Sequence, residues 1–468
     1  MTDNTKSSKA TPKRRVVQDQ QGIEYQLTDK LGEGGQGVVC TTDRNNVLVK
    51  LFTDRDPERR RRWVNRLNWV LNQELDGLRI ARPRALIERP YPGYVMELMD
   101  GLESLQSGLE HSLAALRDGA GLSGYLATGG LRRRLALLRE LATTLAGLHA
   151  RGLAYGDLSP ANVFVSQSIE HCQVWLIDCD NLCATERLGH GHLHTPGFGA
   201  PEVVRGERGV NSLTDSWSFA VLAFEVLTQS HPLKGQAVLD AEPEVEARAL
   251  RGELPWVHHP DDPSNQACEG LPLELVATPR IQALFEDCFN AGRDNPLARP
   301  SLATWTDALE AAWALMLDCA AQDCSSSFYW NDERQCPFCD KVAADGLLLA
   351  HAWYSDASPD EQPCLETGDC VALTLDRPLE LHLAPVGTRG YTEAPLVCEI
   401  RLDESGLHLT PKDAGEMKLI RLEDGKPFSI TQPQTLSTQP HRRRGREAGL
   451  LLAHPDEPRL RPFWRFTW

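Results

Sequence analysis

The sequence has 468 residues, which at roughly 150 residues per domain predicts about three domains. Hydrophobic residues make up 41% and charged residues 24%, the balance of a globular chain with a core. Forty-nine Lys+Arg against 65 Asp+Glu give a net charge of −16, which argues against general nucleic-acid binding, since that affinity rests on neutralising phosphates. No apolar run reaches the ~18–20 residues of a membrane span. Residues 217–228 come closest, but the run is short and carries Glu225. Residues 1–22 are polar and show no secretory leader. An odd count of 13 cysteines cannot pair completely, so a cytoplasmic protein with reduced thiols or metal ligands is expected.

In chain order, residues 1–21 read as a disordered tail, with Lys6, Lys9, Lys13, Arg14 and Arg15 and little to bury. From Tyr25 the pattern is strand-like, with a glycine cluster and then a strand over 47–52. A charged, helix-compatible stretch runs from Pro57 to about Ile80, and a strand covers 94–99. After Gly101, leucines and alanines at helical spacing predict helices over 131–149 and 217–227. Strands followed by helices imply two lobes joined near 97–101. Beyond about residue 346, alternating strands at 370–375, 379–383, 396–411 and 417–431, with turns at 403–406 and 423–425, predict an all-β module.

Gly32, Gly34 and Gly37 fit G-x-G-x-x-G, with Val39 two residues on. Glycines let backbone N–H groups approach a phosphate without an intervening Cβ. A dinucleotide fold needs a helix after the glycines, whereas residues 38–41 read as a strand, as in the glycine hairpin that covers ATP. Lys50 lies in the next apolar strand and needs a partner there. Glu74, expected on a helix, is the first choice for that partner and Glu58 the alternative.

Asp157 and Asn162 stand five residues apart in a short polar loop between the helix ending near His149 and an apolar strand. In phosphoryl transfer a carboxylate orients the attacking hydroxyl and an amide oxygen helps to hold Mg²⁺. Asp178 ends another apolar strand, and a carboxylate there suits a hard divalent cation.

These motifs, in this order, resemble the eukaryotic-like (Hanks-type) serine/threonine protein kinase domain over residues 22–316. The small lobe would be 22–96, the hinge 97–101 and the large lobe 102–316. Ala200-Pro201-Glu202, Asp215 with Trp217, and Arg299 match later landmarks, and the resemblance implies that Arg299 pairs with Glu202. It also implies that Asp157 is the catalytic aspartate and that Lys50 holds the ATP phosphates, oriented by Glu74. Asn162 and Asp178 would bind Mg²⁺ (or Mn²⁺), with Met96 as gatekeeper and Glu97 and Met99 offering hinge backbone to adenine. Three departures stand out. Tyr155-Gly156 replaces the usual His-Arg, which implies activity independent of loop phosphorylation at Thr185 or Thr195. Ser159 replaces a lysine near the γ-phosphate, and Asp180 stands where Asp-Phe-Gly has its glycine, adding a carboxylate near the metals. The wording of residues 156–160 and 178–181 is similar to a bacterial branch associated with tellurium-resistance-type systems, which include a metal-dependent protein phosphatase and a von Willebrand A-type protein. His190, His192 and His194 alternate nearby, as polar loop residues or a metal site.

Cys319, Cys324, Cys336 and Cys339, spaced x4, x11 and x2, suit a tetrahedral Zn²⁺ and resemble a small zinc ribbon over 317–345. Cys319 is the least secure ligand, because the preceding helix could contain it. A thioredoxin-like redox site lacks its βαβ context. The module 346–468 has the size of a forkhead-associated sandwich but not its motif residues. The arginines at 442–444 and 446 read as a solvated loop or an anion contact. The expected fold is therefore α+β: a bilobal kinase-like domain, a zinc-ribbon-like segment and an all-β module. The expected function is ATP- and Mg-dependent phosphorylation of serine or threonine in protein substrates. The alternatives are a pseudokinase scaffold that recruits partners through its zinc and β modules, and a small-molecule phosphotransferase.

Overall fold

Alternating apolar residues at the start of the chain build a closed antiparallel barrel of six strands in the computed structural model. These are β1 (Arg15–Asp19), β2 (Glu24–Gly34), β3 (Gly37–Thr42), β4 (Val47–Phe52), β5 (Pro83–Arg89) and β6 (Gly93–Glu97), in the order β1-β2-β3-β4-β6-β5. The structure describes residues 15–34, 37–97, 100–184, 194–343, 346–355, 364–375, 377–382, 395–412, 417–421, 426–437, 448–452 and 460–467. Of the tail expected over 1–21, residues 15–19 form β1 instead, and residues 1–14 lie outside the described residues. β1 pairs with β2 on one side and β5 on the other and closes the barrel. The buried Asp19 carboxylate secures the turn after it, accepting from the Gln21 and Ile23 N–H groups at 2.9 Å and from the Tyr25 hydroxyl at 3.0 Å.

Strand periodicity sorts β4 into two faces. Val49 joins Val17, Tyr25, Ala85, Ile87 and Val95 inside the barrel. Leu48 and Phe52 turn the other way, packing with Tyr94, Met96 and the helix α1 (Pro57–Leu71), and Lys50 shares that face. α1 starts at Asp56, whose side chain accepts from the Glu58 N–H, and buries Trp63, Leu67 and Val70 at i, i+4 and i+7. It ends at Leu71 and does not run to residue 80. The Asn72 and Gln73 N–H groups close back on Trp69 and Val70, and residues 79–81 then pair in extended form with Leu176.

The chain divides into two units, one of Met1–Asp118, Glu140–Glu269 and Phe285–Leu302, the other of Gly119–Arg139, Gly270–Leu284 and Ala303–Trp468. In the first unit the helix Ser212–Thr228 is almost wholly buried and starts with an Asn211/Thr214 capping box. Trp217, Phe224, Phe285 and Phe289 form its aromatic core, with Trp217 edge-on to Phe289 at 5.3 Å. Arg299 and Glu202 make two parallel hydrogen bonds of 2.7 Å with both side chains buried, and the guanidinium lies over Trp217.

The second unit holds the cysteine segment and the β module together with three stretches of the kinase-like region, 119–139, 270–284 and 303–316. Within this unit Arg132 pairs with Asp318, and the Tyr329 hydroxyl donates to the Val276 carbonyl. The β module is an antiparallel sandwich. One sheet runs in the order Cys364–Thr374, Gly346–Ser355, Leu460–Thr467, Ala448–Leu452, Met417–Arg421, Pro427–Ser429. The other runs Leu379–His382, Leu396–Asp403, Gly406–Pro411, Gln434–Leu436. Leu347, Leu349, Val397, Ile400, Leu409, Leu450 and Phe466 meet between the sheets. Among the described residues no helix is long and apolar enough to cross a membrane.

Removing one partner of the buried ion pair strands the other charge away from water. Arg299→Ala is therefore expected to lower unfolding stability by about 3–5 kcal/mol. Urea denaturation followed by tryptophan fluorescence checks this; a loss below about 1 kcal/mol would show that water reaches Glu202.

Candidate active site

The loop carrying Asp157 is held from below by Asp215, in the first turn of the helix Ser212–Thr228. Its carboxylate accepts from the Tyr155 N–H at 2.6 Å and the Gly156 N–H at 2.8 Å and contacts the His149 ring at 3.0 Å. Gly156 has φ +86°, and a Cβ there would lie 3.1 Å from the Asn181 carbonyl oxygen, so this turn selects glycine where related loops carry arginine. The buried Tyr155 hydroxyl donates to the Ile177 carbonyl, tying this loop to the segment that carries Asp178.

Asp157 Oδ1 accepts from both the N–H and the hydroxyl of Thr195 at 2.9 Å, and Oδ2 is reached by the Asn181 amide at 3.4 Å. Thr195 thus has a task of its own, so loss of its hydroxyl would test this contact and not loop phosphorylation. Asn162 donates its amide nitrogen to the Asp157 carbonyl at 2.9 Å, which leaves its amide oxygen as the end suited to a cation. Asp178 adopts a left-handed backbone (φ 58°) and places its carboxylate 2.9 Å from Lys50 Nζ, with about a quarter of its side chain exposed. Burial pushes the Asp178 carboxyl up, Lys50 pulls it back, and neighbouring Asp180 adds to the rise. A free amide oxygen at Asn162 and a part-exposed carboxylate at Asp178 are donor types that suit Mg²⁺.

Lys50 is 3% exposed. The expected partner Glu74 is corrected: it lies beyond the end of α1 and is exposed, as is Glu58 in the first turn. Lys50 instead meets Asp178 and, at 3.2 Å to each oxygen, Asp180. Burial lowers the Lys50 pKa, but Asp180 and Asp178 outweigh it and hold the ammonium above its usual range. The Asp180 carboxylate, expected near the metals, is 1% exposed and accepts from the Trp63 indole N–H of α1 at 2.8 Å. One turn on, Arg66 donates to the Asn181 carbonyl at 3.1 Å. Asp180 and Trp63 escaped the sequence reading as site residues. The available signals were the displaced glycine and a tryptophan in an otherwise basic helix segment.

Gly32, Gly34, Gly37 and Val39 lie on the β2–β3 hairpin, where Gly34 pairs with Gly37. A Cβ on Gly37 would collide with the Leu51 carbonyl, while Gly32 faces open space. Met96 is buried with Leu48 and Leu86, and Glu97 follows it with an exposed side chain that pairs with Arg84. Met99, Thr185, His190, His192 and the arginines at 442–446 lie outside the described residues. Ser159 is 1% exposed, so its hydroxyl does not take the place of a substrate-facing lysine.

Cys319, Cys324, Cys336 and Cys339 bring their sulfur atoms within 4.8 Å of one another. Cys319 follows the strand Met316–Asp318 and lies clear of the helix Leu302–Ala314, which removes the reservation about it. Sulfur separations of 3.4 Å (Cys319–Cys339) and 3.9 Å (Cys324–Cys336) bracket the roughly 3.8 Å edge of a tetrahedron with ~2.3 Å zinc–sulfur bonds. The four thiols therefore fit a structural metal.

His231 fixes the segment below Thr195. Its Nε2 contacts the Gly197 carbonyl at 3.1 Å and its Nδ1 accepts from the Leu233 N–H at 3.1 Å, which requires the neutral ring. Burial first, then Lys234, pulls its pKa down to about 3. The unfolded chain binds a proton near pH 6.5 that the folded chain refuses, so stability is complete above pH 6.5 and falls as the pH drops toward 3. Between these limits the slope of stability against pH should exceed that of His231→Gln by up to ~1.4 kcal/mol per pH unit. Equal slopes in urea titrations at pH 4–7 would show that the ring is protonated in the fold.

The family model described as "Protein kinase domain" matches residues 25–314. Among curated proteins the chain is 35% identical over 111 residues to serine/threonine-protein kinase pkn2 of Myxococcus xanthus, covering 22% of this chain and 13% of that protein. It is 26% identical over 227 residues to serine/threonine-protein kinase PkaA of Streptomyces coelicolor, covering 47% and 41%. It is 36% identical over 102 residues to human ribosomal protein S6 kinase alpha-3, covering 21% and 13%. The chain thus spans less than half the length of each of these relatives.

Proposed function

The chain belongs to the protein kinase family, and from that premise we propose that it transfers the γ-phosphate of ATP to serine or threonine hydroxyls of protein substrates. The observation that supports this reading is the contact of Lys50 with Asp178 and of Asn162 with the Asp157 loop, with Asp157 held by Thr195 and Asn181. Asp157 would orient the attacking hydroxyl and accept its proton, while Lys50 would contact the α- and β-phosphates. The glycine hairpin would cover them, and the backbone beside Met96, at Glu97 and Met99, would receive adenine. Asn162 and Asp178 would hold Mg²⁺ (or Mn²⁺), which supplies charge neutralisation on the phosphates. The serine/threonine preference rests on the names of the bacterial relatives.

The sulfur geometry favours Zn²⁺ at Cys319, Cys324, Cys336 and Cys339 as a structural ion in a ribbon-like segment. Free thiols such as Cys40, Cys179 and Cys288 suit a reducing compartment such as the cytoplasm. The wording of residues 156–160 and 178–181 supports placement among tellurium-resistance-type systems, with a metal-dependent protein phosphatase and a von Willebrand A-type protein as partners. Phosphate-free activity is part of the proposal, because Gly156 offers no side chain to hold a phosphorylated loop residue.

Incubation with γ-labelled ATP, Mg²⁺ and a generic protein substrate is expected to label the substrate. Asp157→Ala should lower transfer at least ~100-fold while still binding nucleotide. Treating the protein with a phosphatase beforehand should leave transfer unchanged. Nucleotide binding without transfer by the wild type would favour the scaffold reading. Purified protein should also contain close to one zinc per chain, and a chelator strong enough to remove it should lower the melting temperature. Zinc-free protein of unchanged stability would overturn the assignment.

A further inference from the structure

Protein kinases orient the ATP-binding lysine with a glutamate on the helix of the small lobe. In this chain α1 cannot supply one. Its single acidic residue is Glu58, exposed in the first turn, and the body of the helix carries Arg59, Arg60, Arg61, Arg62 and Arg66. At the position that faces the cleft core stands Trp63, buried between Phe52 and Tyr94.

We infer that Asp180 does the orienting of Lys50 in place of a helix glutamate, and that Trp63 couples the position of α1 to Lys50 through the Asp180 carboxylate. This rests on the phosphotransfer reading of the site. Both Asp180 oxygens lie 3.2 Å from Lys50 Nζ, and one also accepts from the Trp63 indole at 2.8 Å. The two carboxylates around Lys50 divide the work by exposure. The Asp180 side chain has none, whereas the Asp178 side chain is 26% exposed and opens to the cleft. Asp180 stays with Lys50 when nucleotide enters, and Asp178 is the one released to a cation. Arg66, bonded to the Asn181 carbonyl, fastens α1 to the same segment one turn beyond Trp63. The ion pair that other kinases build between helix and strand is built here between β4 and the short helical turn Cys179–Asn181, and the helix reads it through a neutral donor. Asp180 is a positioning residue on this account: it touches Lys50 and no reacting atom.

The test is steady-state kinetics and nucleotide binding in the full chain, with melting temperatures as a check on folding. Asp180→Asn is nearly isosteric and should reduce kcat/KM for ATP more than tenfold, with KM for the protein substrate unchanged. Trp63→Phe should cost several-fold alone and nothing more when combined with Asp180→Asn. Asp180→Gly should behave like Asp180→Asn, and Trp63→Glu with Asp180→Gly, which moves the carboxylate onto the helix, should recover part of the loss. Wild-type ATP kinetics in Asp180→Asn would overturn the inference. So would equal losses toward both substrates with no recovery in the double variant. A wild type that neither binds ATP nor transfers label would instead overturn the phosphotransfer reading itself.

Discussion

The charge of Lys50 organises the cleft. Strand alternation puts this ammonium on the same face of β4 as Leu48 and Phe52, against α1, where it is 3% exposed. A buried, unpaired ammonium costs several kcal/mol, so acidic partners must come from somewhere within reach. They come from one short segment: Asp178, whose left-handed backbone turns its carboxylate toward β4, and Asp180, two residues on. The second carboxylate then needs its own remaining hydrogen bond, and Trp63 of α1 provides it. A single buried charge thereby joins β4, α1 and the 178–181 segment before any nucleotide binds.

A buried carboxylate with the opposite role fixes the loop on the other side of the cleft. Asp215 gathers two consecutive backbone N–H groups and the His149 ring, so the residues before Asp157 have no freedom to relax. Tyr155 completes the frame by reaching the Ile177 carbonyl, one residue before Asp178. The Asp157 loop and the 178–181 segment are therefore positioned by each other.

Much of the site was legible in the sequence because polar groups that do chemistry recur at short, fixed spacings. Asp157, Asn162 and Asp178 follow each other along adjacent strands and loops, and the four cysteines declare themselves by x4, x11 and x2. The sandwich was legible through alternation. What failed was pairing at a distance. Glu74 was credible only if α1 ran past residue 71, and the competing strand-like pairing of residues 79–81 with Leu176 decides otherwise. Asp180 looked like a defect because the sequence shows which glycine is missing but not which way a replacement side chain turns. β1 was missed because two apolar residues, Val16 and Val17, in a basic stretch give too short an alternation to count, although closing the barrel buries Val17.

The departures at positions 159 and 180 acquire a common sense once their surroundings are known. Lys50, Asp157, Asp178 and Asp180 carry a formal net charge of −2, with Asp178 and Asp180 facing the ammonium and Asp157 held by Thr195 and Asn181. Asp180 is closest to full compensation, engaged by both Lys50 and Trp63, so the excess falls on Asp157 and Asp178. Ser159 adds no positive charge, and its burial keeps it from the substrate side. One divalent cation matches that excess. In a chain of net charge −16, on the proposed function, such a cleft would repel phosphates until a cation arrived with them.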